Sequence, residues 1–201
     1  MSTGFQAVQW NRAKWIYDAI VLAGVCLFIG AYMLILRLRA PAHEVPSWED
    51  LRIQALGACA FLMITLILCI GPLARLSPRF LPLLYNRRHF GVMAFCVAAL
   101  HGYSVLDWFI VRGETGNLIA ELFNPEYYGK FIGFPMKALG IAALTIFFVM
   151  AATSHDYWLA VLTPRIWKAI HMAIYLAYAI AVMHVALGVM QYNYCLLYTS
   201  D

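Results

Sequence analysis

Arg165-Ile166-Trp167-Lys168-Ala169-Ile170-His171 opens a stretch that continues through His184 to Gln191. Two cations and a tryptophan lead into an apolar run long enough to cross a bilayer, which takes about 20 residues. Inside that run stand two histidines, thirteen residues apart. A histidine ring in hydrocarbon needs a partner, so an intramembrane histidine is a functional-site candidate by default. Two on one helix point to a redox metal, provided the rest of the chain supplies the opposing ligands.

The composition agrees with a membrane setting. Of 201 residues, 64% are hydrophobic and 12% charged, where a soluble domain carries about 25% charged residues. The 6 Trp, 12 Tyr and 12 Phe suit interfacial belts and cofactor packing. A formal charge of +4 fits loops facing anionic lipid. No basic run is dense enough to track a phosphate backbone, which excludes nucleic acid as a partner. Cys26, Cys59, Cys69 and Cys96 each lie in an apolar run, and none forms C-x-x-C, C-x-x-C-H or a zinc spacing. Disulfide, c-type heme and zinc readings therefore lack support, and these cysteines read as buried apolar thiols.

Working back from the opening stretch, the chain predicts an all-α polytopic bundle of five transmembrane helices. Residues 1–15 form a short polar amino terminus with Arg12 and Lys14. The spans are Ile16–Leu36, Ile53–Leu73 (closed by Gly71-Pro72), His89–Val111, Met136–Ala152 and Ile166–Met190. The first is too long for a signal-peptide core of about 7–15 residues, so it reads as an uncleaved span. Between the third and fourth spans, Leu118–Tyr128 is expected as a short helix on the membrane surface. Ala74–Arg88 carries Arg75, Arg79, Arg87 and Arg88 with no acid, which places it in the cytoplasm. An amino terminus inside puts eight cations on the cytoplasmic side and six outside, with six acids also outside.

This topology makes the third and fifth spans parallel. His101 lies about 12 residues, or roughly 18 Å, into its span, and His184 lies at a similar depth. The two can meet at one level, which makes heme the first candidate for the metal. His171 sits about 20 Å lower, facing Arg87, Arg88 and His89. On an ideal helix His184 points about 140° away from His171, so either two hemes meet this helix on different sides or it is irregular between them. Arg87 faces within about 40° of His101, whereas His89 lies about 120° away. Direction favours Arg87 as the neighbour of an inner group; chemistry favours His89 as a ligand. Spacing leaves both open. His43 and His155 fall in loops and read as solvated, and Asp107 either binds a backbone group or lines a proton path.

The stretches Leu84-Tyr-Asn-Arg-Arg-His-Phe-Gly-Val92, leading to His101, and Ala152-Thr-Ser-His-Asp-Tyr-Trp158, leading to Trp167-Lys168 and His171…His184, resemble the ferric reductase-like transmembrane family. The likeness covers spans two to five. It is strongest toward bacterial members fused to a Rieske domain and toward the membrane subunit of the methionine sulfoxide reductase system. The resemblance implies a six-helix bundle with one or two b hemes that passes electrons across the bacterial inner membrane. It implies His101, His171 and His184 as metal ligands and Arg87, Arg88 and His89 as cofactor contacts. The family position fourteen residues before His101 is often histidine; here it is Arg87.

The expected organisation is a heme domain over residues 16–190, a truncated end over 191–194, and a foreign tail. Cys195-Leu-Leu-Tyr-Thr-Ser-Asp201 is what TGT CTC TTA TAC ACA TCT GA encodes, a transposon-end adapter used in sequencing libraries; such scars are excluded from fold reasoning. The sixth helix of the family bundle is missing from this reading. No G-x-G-x-x-G follows a strand, so flavin and nicotinamide sites belong to a redox partner, whether a Rieske or flavin reductase protein or domain, with quinone as the other option. The competing readings are a heme-free membrane anchor or assembly subunit and a quinone-linked subunit built on Asp107 and His101.

Overall fold

Helix caps and polar breaks set the element boundaries in the structure, a computed structural model that describes residues 12–41, 45–128 and 134–198. Among the described residues every regular element is helical: α1 (Arg12–Arg39), α2 (Trp48–Leu76), a 3-10 turn (Pro78–Phe80), α3 (Leu81–Tyr85), α4 (Arg87–Val111), α5 (Thr115–Phe123), α6 (Pro125–Tyr128), α7 (Met136–Ala152), α8 (Asp156–Val161), α9 (Pro164–Met172) and α10 (Ile174–Tyr198). The Ser47 hydroxyl starts α2 by accepting from the Asp50 amide at 3.1 Å, with Glu49 and Asp50 in the first turn where the helix dipole favours acids. Thr163 starts α9 in the same way, followed by Pro164 in the first turn.

α1, α2, α4 and the α9–α10 stretch are long and apolar enough to cross a membrane. α7, at 17 residues, is apolar and near the lower limit for spanning. The chain is an all-α, multi-pass membrane bundle. Neighbouring contacts run α2–α4, α4–α7, α7–α10 and α10–α2, so these four helices close a ring, and α1 packs outside it on α2. Met63, Ile67, Ala94, Val97, Phe147 and Ala177 meet in its core. The small Ala94 and Ala177 let backbones approach closely, as membrane helices without a hydrophobic driving force require. α1 instead turns Leu27 and Leu38 outward, each 75% exposed, as a lipid-facing surface does.

Several boundaries differ from the sequence expectation for physical reasons. Pro72 does not close the second span; α2 continues to Leu76, where the Ser77 amide bonds the Leu73 carbonyl at 3.0 Å. The proline removes one backbone donor, a loss that membrane helices tolerate. The surface helix begins earlier than expected, as α5, and α6 completes it; Lys137 of α7 pairs with Glu121 of α5. The last span is divided at Ala173, whose amide bonds the Ile170 carbonyl at 3.1 Å in the tighter i to i−3 pattern. Cys59 is buried, but Cys26, Cys69 and Cys96 lie on the outer surface of the bundle, correcting the expectation of four buried thiols. His155 caps α8 by accepting from the Tyr157 amide at 3.1 Å, while His43 lies outside the described residues.

Asp107 pairs with Arg52 at 3.4 Å, near Arg112, which pairs with Glu49 at 3.7 Å. The pair bridges α4 to α2, and both side chains are more than one third exposed. Exposed ion pairs contribute about 0–1 kcal/mol. Asp107→Asn is therefore expected to shift the thermal midpoint in detergent by no more than about 2–4 °C.

Candidate cofactor site in the four-helix ring

His101 and His184 project from α4 and α10, diagonal members of the ring, and each is held by the ring helix before its own, α2 for His101 and α7 for His184. The Nδ1 of His101 lies 3.0 Å from the Ile53 carbonyl of α2, and the Nδ1 of His184 lies 2.7 Å from the Met136 carbonyl of α7. A carbonyl can only accept, so each Nδ1 carries the proton and each Nε2 keeps its lone pair. One turn after each carbonyl stands a glycine against the ring. A Cβ on Gly57 would meet His101 Cε1 at 3.0 Å, and one on Gly140 would meet His184 Cε1 at 2.9 Å.

The two ring centres are 6.4 Å apart and their planes are crossed at 74°. Imidazole binds first-row metals at about 2 Å, and adding a ring radius of about 1.2 Å at each end puts two rings on one metal roughly 6 Å apart. The observed spacing fits one metal between two Nε2 atoms. Among the described residues, no group of three or more His, Cys, Asp or Glu could hold a metal ion. A bare ion would want four protein ligands or open water positions. The donor set thus suits a metal that brings its own in-plane ligands, as a porphyrin iron does.

The second half of the ring repeats the first. Ala55-Leu56-Gly57 recurs as Ala138-Leu139-Gly140, and Met93-Ala-Phe-Cys-Val-Ala-Ala-Leu-His101 recurs as Leu176-Ala-Tyr-Ala-Ile-Ala-Val-Met-His184. In both halves the carbonyl lies 48 residues before its histidine. The glycines and carbonyls were missed when the sequence was read span by span. Comparing the chain with itself exposes the glycines, in the repeated Ala-Leu-Gly.

A second site lies toward the basic end of the bundle. His171 places Nδ1 3.0 Å from the Trp167 carbonyl and Nε2 3.4 Å from the Ser154 hydroxyl. Its ring stacks on Trp167 at 3.9 Å, and the Arg88 guanidinium lies 5.5 Å over the same indole. These groups line a cavity of ≈ 350 Å³ together with Arg87 and Lys168. Among the described residues lining it there are three cations and no carboxylate. His89 is not among them; its Nδ1 sits 3.6 Å from Asp18 Oδ1 of α1. The cavity thus brings Arg87 and Arg88 to His171 and leaves His89 on the α1 side. At the constant offset of the repeat, the counterpart of His171 is Arg88.

The candidate site is thus a pair of imidazoles facing each other across a ring of apolar membrane helices. Residues 56–182 match the ferric reductase like transmembrane component, and the chain belongs to that family. It is similar to the protein-methionine-sulfoxide reductase heme-binding subunit MsrQ of Xanthomonas oryzae pv. oryzae, in strain MAFF 311018 and in strain KACC10331 / KXO85. Each is 33% identical over 131 residues, covering 64% of this chain and 53% of the relative. The chain spans about half the length of these curated relatives.

Proposed function

We propose that this chain is the membrane component of a ferric reductase-like oxidoreductase and carries electrons through a b-type heme held between His101 and His184. The observation that carries this reading is the facing pair of imidazoles, 6.4 Å apart, with both Nδ1 atoms committed to carbonyls. When bound, heme iron supplies reversible one-electron chemistry. The chain's own part is to fix both ligands in one tautomer, exclude water through the apolar ring and keep the site in low dielectric. Residues 16–190 form the heme-carrying unit. The arginines of the α2–α4 connection favour a cytoplasmic amino terminus in a bacterial plasma membrane. Electrons come from or go to a separate redox protein or domain, of Rieske or flavin reductase type, or a quinone.

The inner cavity enters this reading as a second redox site, where Arg87 and Arg88 would face the propionates of a heme bound there. A guanidinium has only N–H donors and cannot ligate iron. His171 is the one imidazole among the described lining residues, so it is the side chain that would hold a heme in this cavity. His171→Ala is expected to lower the bound heme to that of the His101–His184 site alone and to leave the spectrum of that site intact, as pyridine hemochrome and difference spectra would measure. The reading as a whole is tested by pyridine hemochrome analysis and reduced-minus-oxidised spectra of the purified chain. Absence of heme b would leave the anchor or assembly subunit as the better account.

A further inference from the structure

We propose that Gly57 and Gly140 are positioning residues whose missing side chains hold the two histidine rings crossed, and that this crossing is a built property of the site. The inference rests on His101 and His184 being the heme ligands. Each ring is gripped on two sides. The carbonyl of Ile53 or Met136 fixes Nδ1, and the bare backbone of a glycine one turn later closes on Cε1. With Nδ1 pinned at 3.0 Å and 2.7 Å, a ring pressed by a new methyl cannot simply withdraw. It must rotate about its bond to the carbonyl or give that bond up.

The same grip occurs twice, at corresponding places in the two halves of the repeat. Glycine is frequent in membrane helices, and Gly24, Gly30, Gly71 and Gly91 have open space where a side chain would be. Gly57 and Gly140 differ from these in that an added Cβ would meet a histidine ring. Gly102 provides the contrast: a Cβ there would meet Leu144 Cδ2 at 3.1 Å, the movable end of an aliphatic side chain.

The angle between two axial imidazoles has its own spectroscopic signature. Crossed rings leave the iron d orbitals nearly degenerate, and the ferric low-spin form then gives one strongly anisotropic low-field line in electron paramagnetic resonance. Rings turned parallel give a rhombic spectrum with three resolved lines. The 74° crossing predicts the low-field line for the unaltered chain.

The test is low-temperature resonance of the purified full chain and of Gly57→Ala, Gly140→Ala and Gly102→Ala, with heme content measured by pyridine hemochrome. The low-field line is expected in the unaltered chain. It should shift or turn rhombic in both seat variants that retain heme, and stay in place in Gly102→Ala. Heme-loaded seat variants with an unmoved line would overturn the inference, as would an equal shift in Gly102→Ala. If the seat variants do not accumulate, the unaltered chain decides alone: a rhombic bis-imidazole spectrum refutes the crossed seat and leaves the ligand assignment standing. Absence of heme from the unaltered chain refutes the ligand assignment itself.

Discussion

Alanine at His101 or at His184 is expected to eliminate the six-coordinate heme spectrum, with bound heme at that site falling by at least about tenfold, since loss of an outer-shell partner alone costs about 10–100-fold in metal affinity. The two substitutions should be equivalent, because each ring has the same pair of supports and stands across from the other at 6.4 Å. The vacated space lies against a glycine in each case. Difference spectra of membranes and of purified protein measure the outcome. A double variant with an unaltered spectrum would remove the basis for the assignment.

The second large effect is expected at Ala177 and Ala94. Ala177 is 0% exposed and Ala94 is 2% exposed, and both lie where ring helices meet. Leucine at Ala177 has no void to enter, and overpacking of this kind costs about 1–3 kcal/mol. At about 2–4 °C per kcal/mol, the thermal midpoint in detergent should fall by about 2–12 °C. Ala94→Leu is expected to do the same, since Ala94 is the counterpart of Ala177 in the repeat. Ala→Leu at an outward position of α1 such as Ala31 should leave the midpoint near that of the unaltered chain. A fall of equal size at Ala31 would mean that bulk anywhere destabilises the chain and that close packing at the crossings is not special.

The spans were legible because long apolar runs with polar joints leave few alternatives. His101 and His184 were legible as partners because depth along a helix follows from residue count. What the count cannot give is lateral geometry. His89 and Arg88 are adjacent in sequence, yet one faces Asp18 of α1 and the other lies over Trp167. Only the packing of α1 and α9 separates them. The carbonyls of Ile53 and Met136 were invisible because backbone groups leave no mark on residue type. Gly57 and Gly140 did leave one, in the repeated Ala-Leu-Gly, but it appears only when the halves are laid side by side. The outward cysteines show a different limit. In a membrane bundle an apolar run supplies lipid contacts as readily as core contacts, so apolarity does not report burial.

The joint at Ala173 has a consequence for the directions of two histidines. Along an unbroken helix, one added residue between His171 and His184 would turn the two apart by about 100°. Here the backbone between them already departs from the regular bonding pattern at one point, with Ala173 closing on Ile170 and the next helix starting at Ile174. The joint therefore sets the angle between the two histidines: their directions follow from this one tightened turn as well as from the thirteen residues that separate them.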